Sequence, residues 1–394
     1  MRNIRYIVVA TALVATFSSR AQGIDGVLRQ IEENNLSLRA HSSLTEARTL
    51  DARTANQLPN PSVQYAHAWG TPAEAGKNGE LVVSQSFDFP TAYARRAQMA
   101  KMQSKHFSTD HALVRQQTLL EAKQLCIDII ALRRQMAIAA EREQNAERIA
   151  QIYTSRLEAG KGSILEKNRA EMELSAARNT RNMLQIEIEA AENRLRTLNG
   201  GIEIEFADTE YAPLTELLPL AEMEAIYTAT DPSLLAIASQ VEIAEQSIKV
   251  NRAQALPQFT LGYKLSHASG QHFNGLVVGM SVPIFSGHRN TRAAKAQAVY
   301  AEAEQLSAIN DTRTSLAALY DRAEVLERTI EEYRSIESET TDYRTYLGRA
   351  VEAGQISVVD YFSSLTNYYD VVSARIDFER QLQQVYAQIN SVLL

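Results

Sequence analysis

The sequence predicts a mainly α-helical chain with a small β part, built twice over on one plan. Three observations carry that expectation. Only 16 Gly and 9 Pro punctuate 394 residues, and the stretches between them are rich in Ala, Glu, Gln, Leu and Arg, a mixture that favours long helices. Four short segments depart from this pattern and alternate apolar and polar residues, the mark of strands with two unlike faces. The second half of the chain also repeats the first.

The repeat has three anchors in the same order. Leu36 to Tyr65 aligns without gaps on Leu234 to Tyr263, so Leu58-Pro59 falls on Leu256-Pro257. LVVSQS (81–86) matches LVVGMS (276–281), and EAGKGSILE (158–166) matches EAGQISVVD (352–360). A period of about 195 residues makes each half domain-sized rather than a solenoid unit.

In chain order, residues 1–21 read as an export signal: Arg2 and Arg5, an apolar run from Tyr6 to Phe17, then Ser19-Arg20-Ala21 as a small-x-small cleavage site. Residues 22–198 form the first repeat, 199–219 a connector containing Asn199-Gly200-Gly201 and Pro213, and 220–394 the second repeat. Each repeat opens with a helix, over 24–56 and 220–255. Two strands follow, over 61–69 and 80–89, and over 257–267 and 275–285. A very long helix comes next, 91–158 and 287–352. A Gly turn then leads into a shorter helix, 163–198 and 356–391. At ~1.5 Å per residue the long helices reach on the order of 100 Å. Two shorter helices stacked end to end would match one of them. Leu125, Ile129, Leu132, Met136 and Ala139, and Leu316, Leu319, Ala323, Leu326, Ile330 and Tyr333, keep heptad spacing. Such seams suit neighbouring antiparallel helices, and a plain coiled coil would show them too.

Composition excludes several functions. A net charge of −7 argues against a nucleic-acid partner. Past the N-terminus no run of 18 apolar residues occurs, so no transmembrane helix is expected. The single Cys, Cys126, has no disulfide partner and sits beside Leu125 and Ile129, as a small core residue would. The seven His are scattered, with His67 and His267 near strand tips. They form no zinc set, and no P-loop, dinucleotide fingerprint or nucleophile elbow is present. No cofactor, metal or catalytic residue is expected.

The strands carry the sharper inference. Val63, Tyr65 and Trp69 share one face of the first. Leu81, Val83, Phe87 and Phe89 share one face of the second, where Gln85 and Val82 break the rule. Phe259, Leu261, Tyr263 and Leu265 share a face of the third, and Leu276, Val278, Met280, Val282 and Ile284 a face of the fourth. Each strand is about ten residues long, enough for a tilted strand to cross a bilayer. The apolar face would then meet lipid, and Gln, Ser, Thr and Lys264 would line a wet lumen. Tyr65, Trp69, Tyr263, Phe273 and Phe285 fit aromatic girdles. The polar stretches 70–79 and 268–274 suit exposed tips. Four strands cannot close a barrel alone, and an open edge is forbidden in lipid. Three copies would give 12 strands, an even number in the known range. The alternative is a soluble sheet packed on helices.

The duplicated order of helix, hairpin, long helix, AG turn and helix resembles the TolC-type outer-membrane efflux family. The motifs that carry the resemblance are Leu58-Pro59-Asn60-Pro61, Ala255-Leu256-Pro257, SVPIFSGHRN (281–290) and the turns EAGKGS and EAGQIS. The single Trp and short loops look closer to the cation-efflux, CzcC/CusC-like branch. No lipidation Cys follows the cleavage site, unlike acylated relatives. The resemblance implies a homotrimer in the outer membrane with a long periplasmic extension: a 12-stranded barrel above a long antiparallel α-helical barrel. It implies a periplasmic adaptor (membrane fusion) protein and an inner-membrane pump of RND or ABC type. The substrate would be heavy-metal cations or drugs; protein secretion of type I stays open, as does, in a different class, a structural coiled-coil protein.

Glu166 and Asp360 lie six residues past the turn glycines Gly160 and Gly354. A trimer would gather them into an acidic ring, and charged rings select and gate in narrow pores. By resemblance, Asp360 matches an aspartate of the closed periplasmic entrance and Glu166 its counterpart. Gly160, Ser163, Gly354 and Ser357 are candidates for the hairpin tips and adaptor contact. Some relatives latch the closed tip with a Tyr and an Arg. Val351 and Ile356 stand at those positions here, which implies a different latch.

Overall fold

A computed structural model describes residues 23–71, 76–268, 270–283, 287–339 and 342–394. The expected export signal lies outside the described residues, as do Ile284 and Phe285 of the fourth expected strand. The first repeat comprises α1 (Ile24–Asn34), α2 (Leu36–Thr54), β1 (Ser62–Trp69), β2 (Lys77–Phe87), α3 (Pro90–Glu158) and α4 (Ile164–Leu198). The second comprises α5 (Leu220–Thr230), α6 (Pro232–Gln254), β3 (Gln258–Ala268), β4 (Gln271–Ser281), α7 (Gly287–Glu339), α8 (Tyr343–Glu352) and α9 (Val358–Ile389).

The opening helix of each repeat is broken once, where one continuous helix was expected. The break has the same cause in both. The Asn35 side chain accepts a hydrogen bond from the Leu38 backbone N–H at 2.9 Å and starts α2. Asp231 accepts from the Ser233 and Leu234 N–H groups at 3.0 and 3.1 Å and starts α6, with Pro232 in the first turn. Such caps satisfy orphan donors and contribute about 1 kcal/mol each. Both side chains are buried because each also ties its break to the far end of a shorter helix. Asn35 donates to the Leu198 carbonyl at 2.8 Å, at the end of α4. Asp231 is joined through Gln116 to the Ser391 carbonyl just past α9. The expected long helix 287–352 is described as two, α7 ending at Glu339 and α8 starting at Tyr343, with Asp342 in a turn.

The shorter helices do stack along the long ones. Thr45 of α2 reaches the Phe107 carbonyl near the β end of α3. The arginines Arg178 and Arg194 of α4 pair with Glu143 and Glu121 further down the same helix. On the other flank of α3 lie α6, through His106 to Ser239, and then α9, through Asn145 to Tyr369. Beyond them runs α7. The core is therefore a string of seams rather than one globule. Ala244, Ala298 and Ala301 form a close-packed one near the strands. Ile31, Leu119, Cys126, Ile129 and Leu195 fill the middle of the first repeat, and Met223, Leu316, Leu326 and Leu382 that of the second. Burial pushes the Cys126 thiol up to about 12, consistent with an inert packing residue.

The four strands form one antiparallel sheet in the order β1-β2-β3-β4. Its edges, β1 and β4, have no partner among the described residues. β2 and β4 both start nearer the tips than expected and end sooner. The stretch 271–274 continues β4 rather than forming a loop, pairing Phe273 with Ser266 and His272 with His267. Polar side chains do not stop a strand whose ladder bonds are made.

Candidate functional site

The register sorts the sheet into two faces. Val63, Val83, Tyr263 and Leu276 form one row across it, and Tyr65, Leu81 and Leu265 lie in the next row toward the tips. Leu261 with Val278, and Phe259 with Met280, form the rows toward the helices. Trp69 ends β1 on the same face. Among the described residues no helix covers this face: Leu276 is 83% exposed, Val278 75% and Met280 64%. Tyr263 falls mid-strand rather than at a girdle, and Phe273 pairs with Ser266 on the opposite face. That opposite face is polar and internally bonded. Lys264 Nζ meets Glu80 Oε2 at 2.7 Å, Ser62 meets Ser84 at 2.8 Å, and Ser86 meets Thr260 at 3.0 Å. Where the sheet meets the helices, Asp88 pairs with Arg96 and accepts from Gln258 at 2.7 Å.

At the far end of the helices the two AG turns lie together. Gly160 and Gly354 have φ of +70° and +71°, the left-handed turn that only glycine adopts cheaply. The Lys161 N–H returns to the Arg156 carbonyl at 2.8 Å and the Gln355 N–H to the Ala350 carbonyl at 2.9 Å. The acids beyond them are committed to caps. The Ser163 N–H donates to Glu166 Oε2 at 3.0 Å while Ser163 Oγ accepts from Leu165. Ser357 Oγ donates to Asp360 Oδ2 at 2.7 Å and accepts from the Asp360 N–H at 3.1 Å. Among the described residues, the second oxygen of each carboxylate has no hydrogen bond. Below them Tyr153, Ala170, Val351, Val358 and Tyr361 form one apolar cluster, with Ile356 packed on it.

Polar groups that the motif reading passed over join the turns. Arg148 forms an ion pair with Glu352, and Arg156 Nη2 donates to the Glu352 carbonyl at 2.6 Å. Arg344 of α8 pairs with Glu141 of α3. Glu352 opens the EAGQIS motif and was legible there; its arginine partners lie on another helix with no local signature.

The outer membrane efflux protein family matches residues 27–201 and 227–393. This chain belongs to that family. Solved structures agree on the fold. A membrane protein from Pseudomonas aeruginosa is 17% identical, with a TM-score of 0.80 over 94% of this chain and 90% of its own. The VceC outer membrane protein of Vibrio cholerae is 12% identical, with a TM-score of 0.78 over 94% and 95%. The CmeC outer membrane channel of Campylobacter jejuni is 14% identical, with a TM-score of 0.77 over 94% and 85%. No curated protein sequence matches the chain. As an outer membrane efflux protein it is a passive channel of the outer membrane, not an enzyme.

Halfway along the helices this efflux protein holds a buried charge cluster that sequence reading missed. Glu379 of α9 is 8% exposed. It meets Arg134 of α3 at 2.6 Å, Arg375 at 2.8 Å and Arg334 of α7 at 3.2 Å. Burial works to raise its pKa, but the bonds and charges of Arg134 and Arg375 outweigh it and hold the carboxyl below its ordinary range. Three helices are thus pinned at one carboxylate.

Proposed function

We propose that the chain is one third of a passive trimeric exit duct, working with a periplasmic adaptor and an inner-membrane pump. One observation carries the reading: the sheet has two unpaired edges, and its uncovered face is apolar. In hydrocarbon, β1 and β4 must be paired. A heterologous contact of the β4 edge of one copy with the β1 edge of the next closes a ring. Closure alone admits any number of copies that gives a sensible barrel; the family resemblance supports three, hence 12 strands. The helices support the same join. Leu36 and Leu50 on α2, Leu165 and Ile186 on α4, and Val299 and Leu306 on α7 are exposed along the two flanks of the single chain. A soluble coiled-coil protein with a helix-packed sheet would cover these residues.

The polar face of the sheet then lines the lumen, its Lys264 charge neutralised by Glu80. Glu166 and Asp360 form the acidic entrance, and Gly160, Ser163, Gly354 and Ser357 meet the adaptor. Val63, Tyr65, Trp69, Phe259, Leu261, Tyr263, Leu265, Val278 and Met280 face lipid. Energy comes from the pump, and cargo selection beyond charge and width rests with it. The test is the mature protein purified in a non-ionic detergent. A trimer that conducts in planar bilayers is the expected result. A monomer that stays soluble without detergent would overturn the reading.

The same bilayers test the entrance. Glu352 and Arg148 are each about half exposed, and such pairs contribute roughly 0–1 kcal/mol. A latch that weak is releasable by a docking partner and sensitive to salt. Glu352→Gln is expected to raise the open fraction at low salt and to narrow the difference between low and high salt. Glu166→Gln with Asp360→Asn is expected to lower cation preference without raising the open fraction. Unchanged gating in the first and unchanged selectivity in the second would remove both assignments.

A further inference from the structure

We propose that the outward rim of the sheet holds the phosphorylated headgroup of a membrane lipid, in a groove over Gly79. This rests on the reading above that the apolar face meets lipid. The register puts His67, Gly79, His267 and His272 in one row across all four strands, on that same face. Gly79 adds no side chain to the middle of the row, and the Tyr65 ring leans across that position. With strands ~4.8 Å apart, His67 and His267 stand about 10 Å from each other, and the Tyr65 hydroxyl lies between them, so a phosphate above it would meet two imidazoles and a phenol. Tyr65 is held there by the glycine: a Cβ added at Gly79 would lie 3.1 Å from its hydroxyl. The result is a groove of about 320 Å³.

Its polarity runs along β2. Lys77 lies two residues nearer the tip than Gly79, and Leu81 two residues nearer the bilayer centre, all on one face. A cation, an opening flanked by imidazoles and an apolar floor therefore follow in the order of a lipid's phosphate and acyl chain. Leu81 and Leu265 share that floor with the groove's imidazoles. Among the described residues, no carboxylate shares this rim face, and Lys77 has no ion-pair partner; Glu80 points to the other face and meets Lys264. Charge complementarity thus favours an anion. Aromatic rings meet at the edges of the groove. The His67 ring stacks on Tyr65 and sits edge-on to Trp69 at 5.0 Å, and His267 and His272 are 4.8 Å apart. That last pair could also chelate a divalent metal, but Lys77 and the lack of an acidic ligand oppose a cation there.

The test is native mass spectrometry of the detergent-purified protein, titrated with bis-phosphorylated lipid A or its dephosphorylated form. The phosphorylated lipid is expected to bind about tenfold more tightly. Lys77→Ala with His267→Ala should bring it down to the dephosphorylated level. Gly79→Leu, which pushes the Tyr65 hydroxyl out of the groove and keeps every cation, should do the same. Equal binding of the two lipids, or variants that bind like the parent, would overturn the proposal. So would complete displacement by millimolar inorganic phosphate, which would make it a site for the free anion. Zinc bound once per chain, lost in His272→Ala while lipid binding is untouched, would reassign it as a metal site. Loss of the trimer itself in the parent protein would instead count against the duct; a sound trimer indifferent to lipid phosphate sinks only the groove.

Discussion

Val278→Arg is expected to abolish the assembled, membrane-inserted protein. Val278 is 75% exposed, lies two residues from the centre of β4 and pairs with Leu261 on the uncovered face. A guanidinium at the bilayer midplane costs a strand about 2–4 kcal/mol. The proposed trimer would meet that cost three times, a total of roughly 6–12 kcal/mol, comparable with the whole net stability of a folded domain. The readout is the heat-modifiable trimer band on gels of outer-membrane fractions. Gln64→Arg is the control. Gln64 lies on the polar face of β1 opposite Val82, so its arginine would project into water and should be tolerated. If both variants assemble equally well, the apolar face does not meet lipid. If the Gln64 variant alone fails, the sheet is turned the other way.

Glu379→Gln is expected to cost about 3 kcal/mol or more of stability. Removing one partner of a buried charge pair costs about 3–5 kcal/mol; the low end applies, because Arg375 keeps Glu337 at 2.5 Å and Arg334 is exposed, which leaves Arg134 the main loser. Here Arg134, Arg334 and Arg375 would be left facing a neutral amide, and the junction of α3, α7 and α9 would loosen. The pH dependence has a definite sign. The Glu379 carboxyl is held below the ordinary value of 4.5. Its contribution is therefore complete above that value and is lost as pH falls through the lower folded value. The gap between parent and variant, read from denaturant unfolding of the detergent-solubilised protein, should be widest at neutral pH and close on acidification. A gap that is absent at neutral pH, or that grows toward acid, would show the cluster is not holding the helices.

Much of the architecture was legible in the sequence because the forces behind it are periodic. The 198-residue spacing of Leu58-Pro59 and Leu256-Pro257 exposed the repeat. Alternation in PQFTLGYKLSH identified β3 and its two faces, since side chains on a strand must alternate. The heptad seams marked the faces that helices bury, and Ile129, Leu316, Ala323, Leu326 and Ile330 are indeed buried. The Asp231-Pro232 break was readable from local chemistry and was passed over; the Asn34-Asn35 break was harder, because Asn also occurs inside helices.

Only the tertiary structure decided which distant side chains meet. Arg148 and Glu352 are both ordinary exposed helix charges until α3 and α8 lie side by side. The same holds for Glu379 and Arg134, which stand 245 residues apart. The histidine row needed the register of all four strands, since a one-residue slip would send His272 to the other face. Periodic burial is written along the chain because each residue's surroundings follow from its neighbours. Pairing across helices and strands is not, because it depends on how rigid elements settle against one another once the seams are buried.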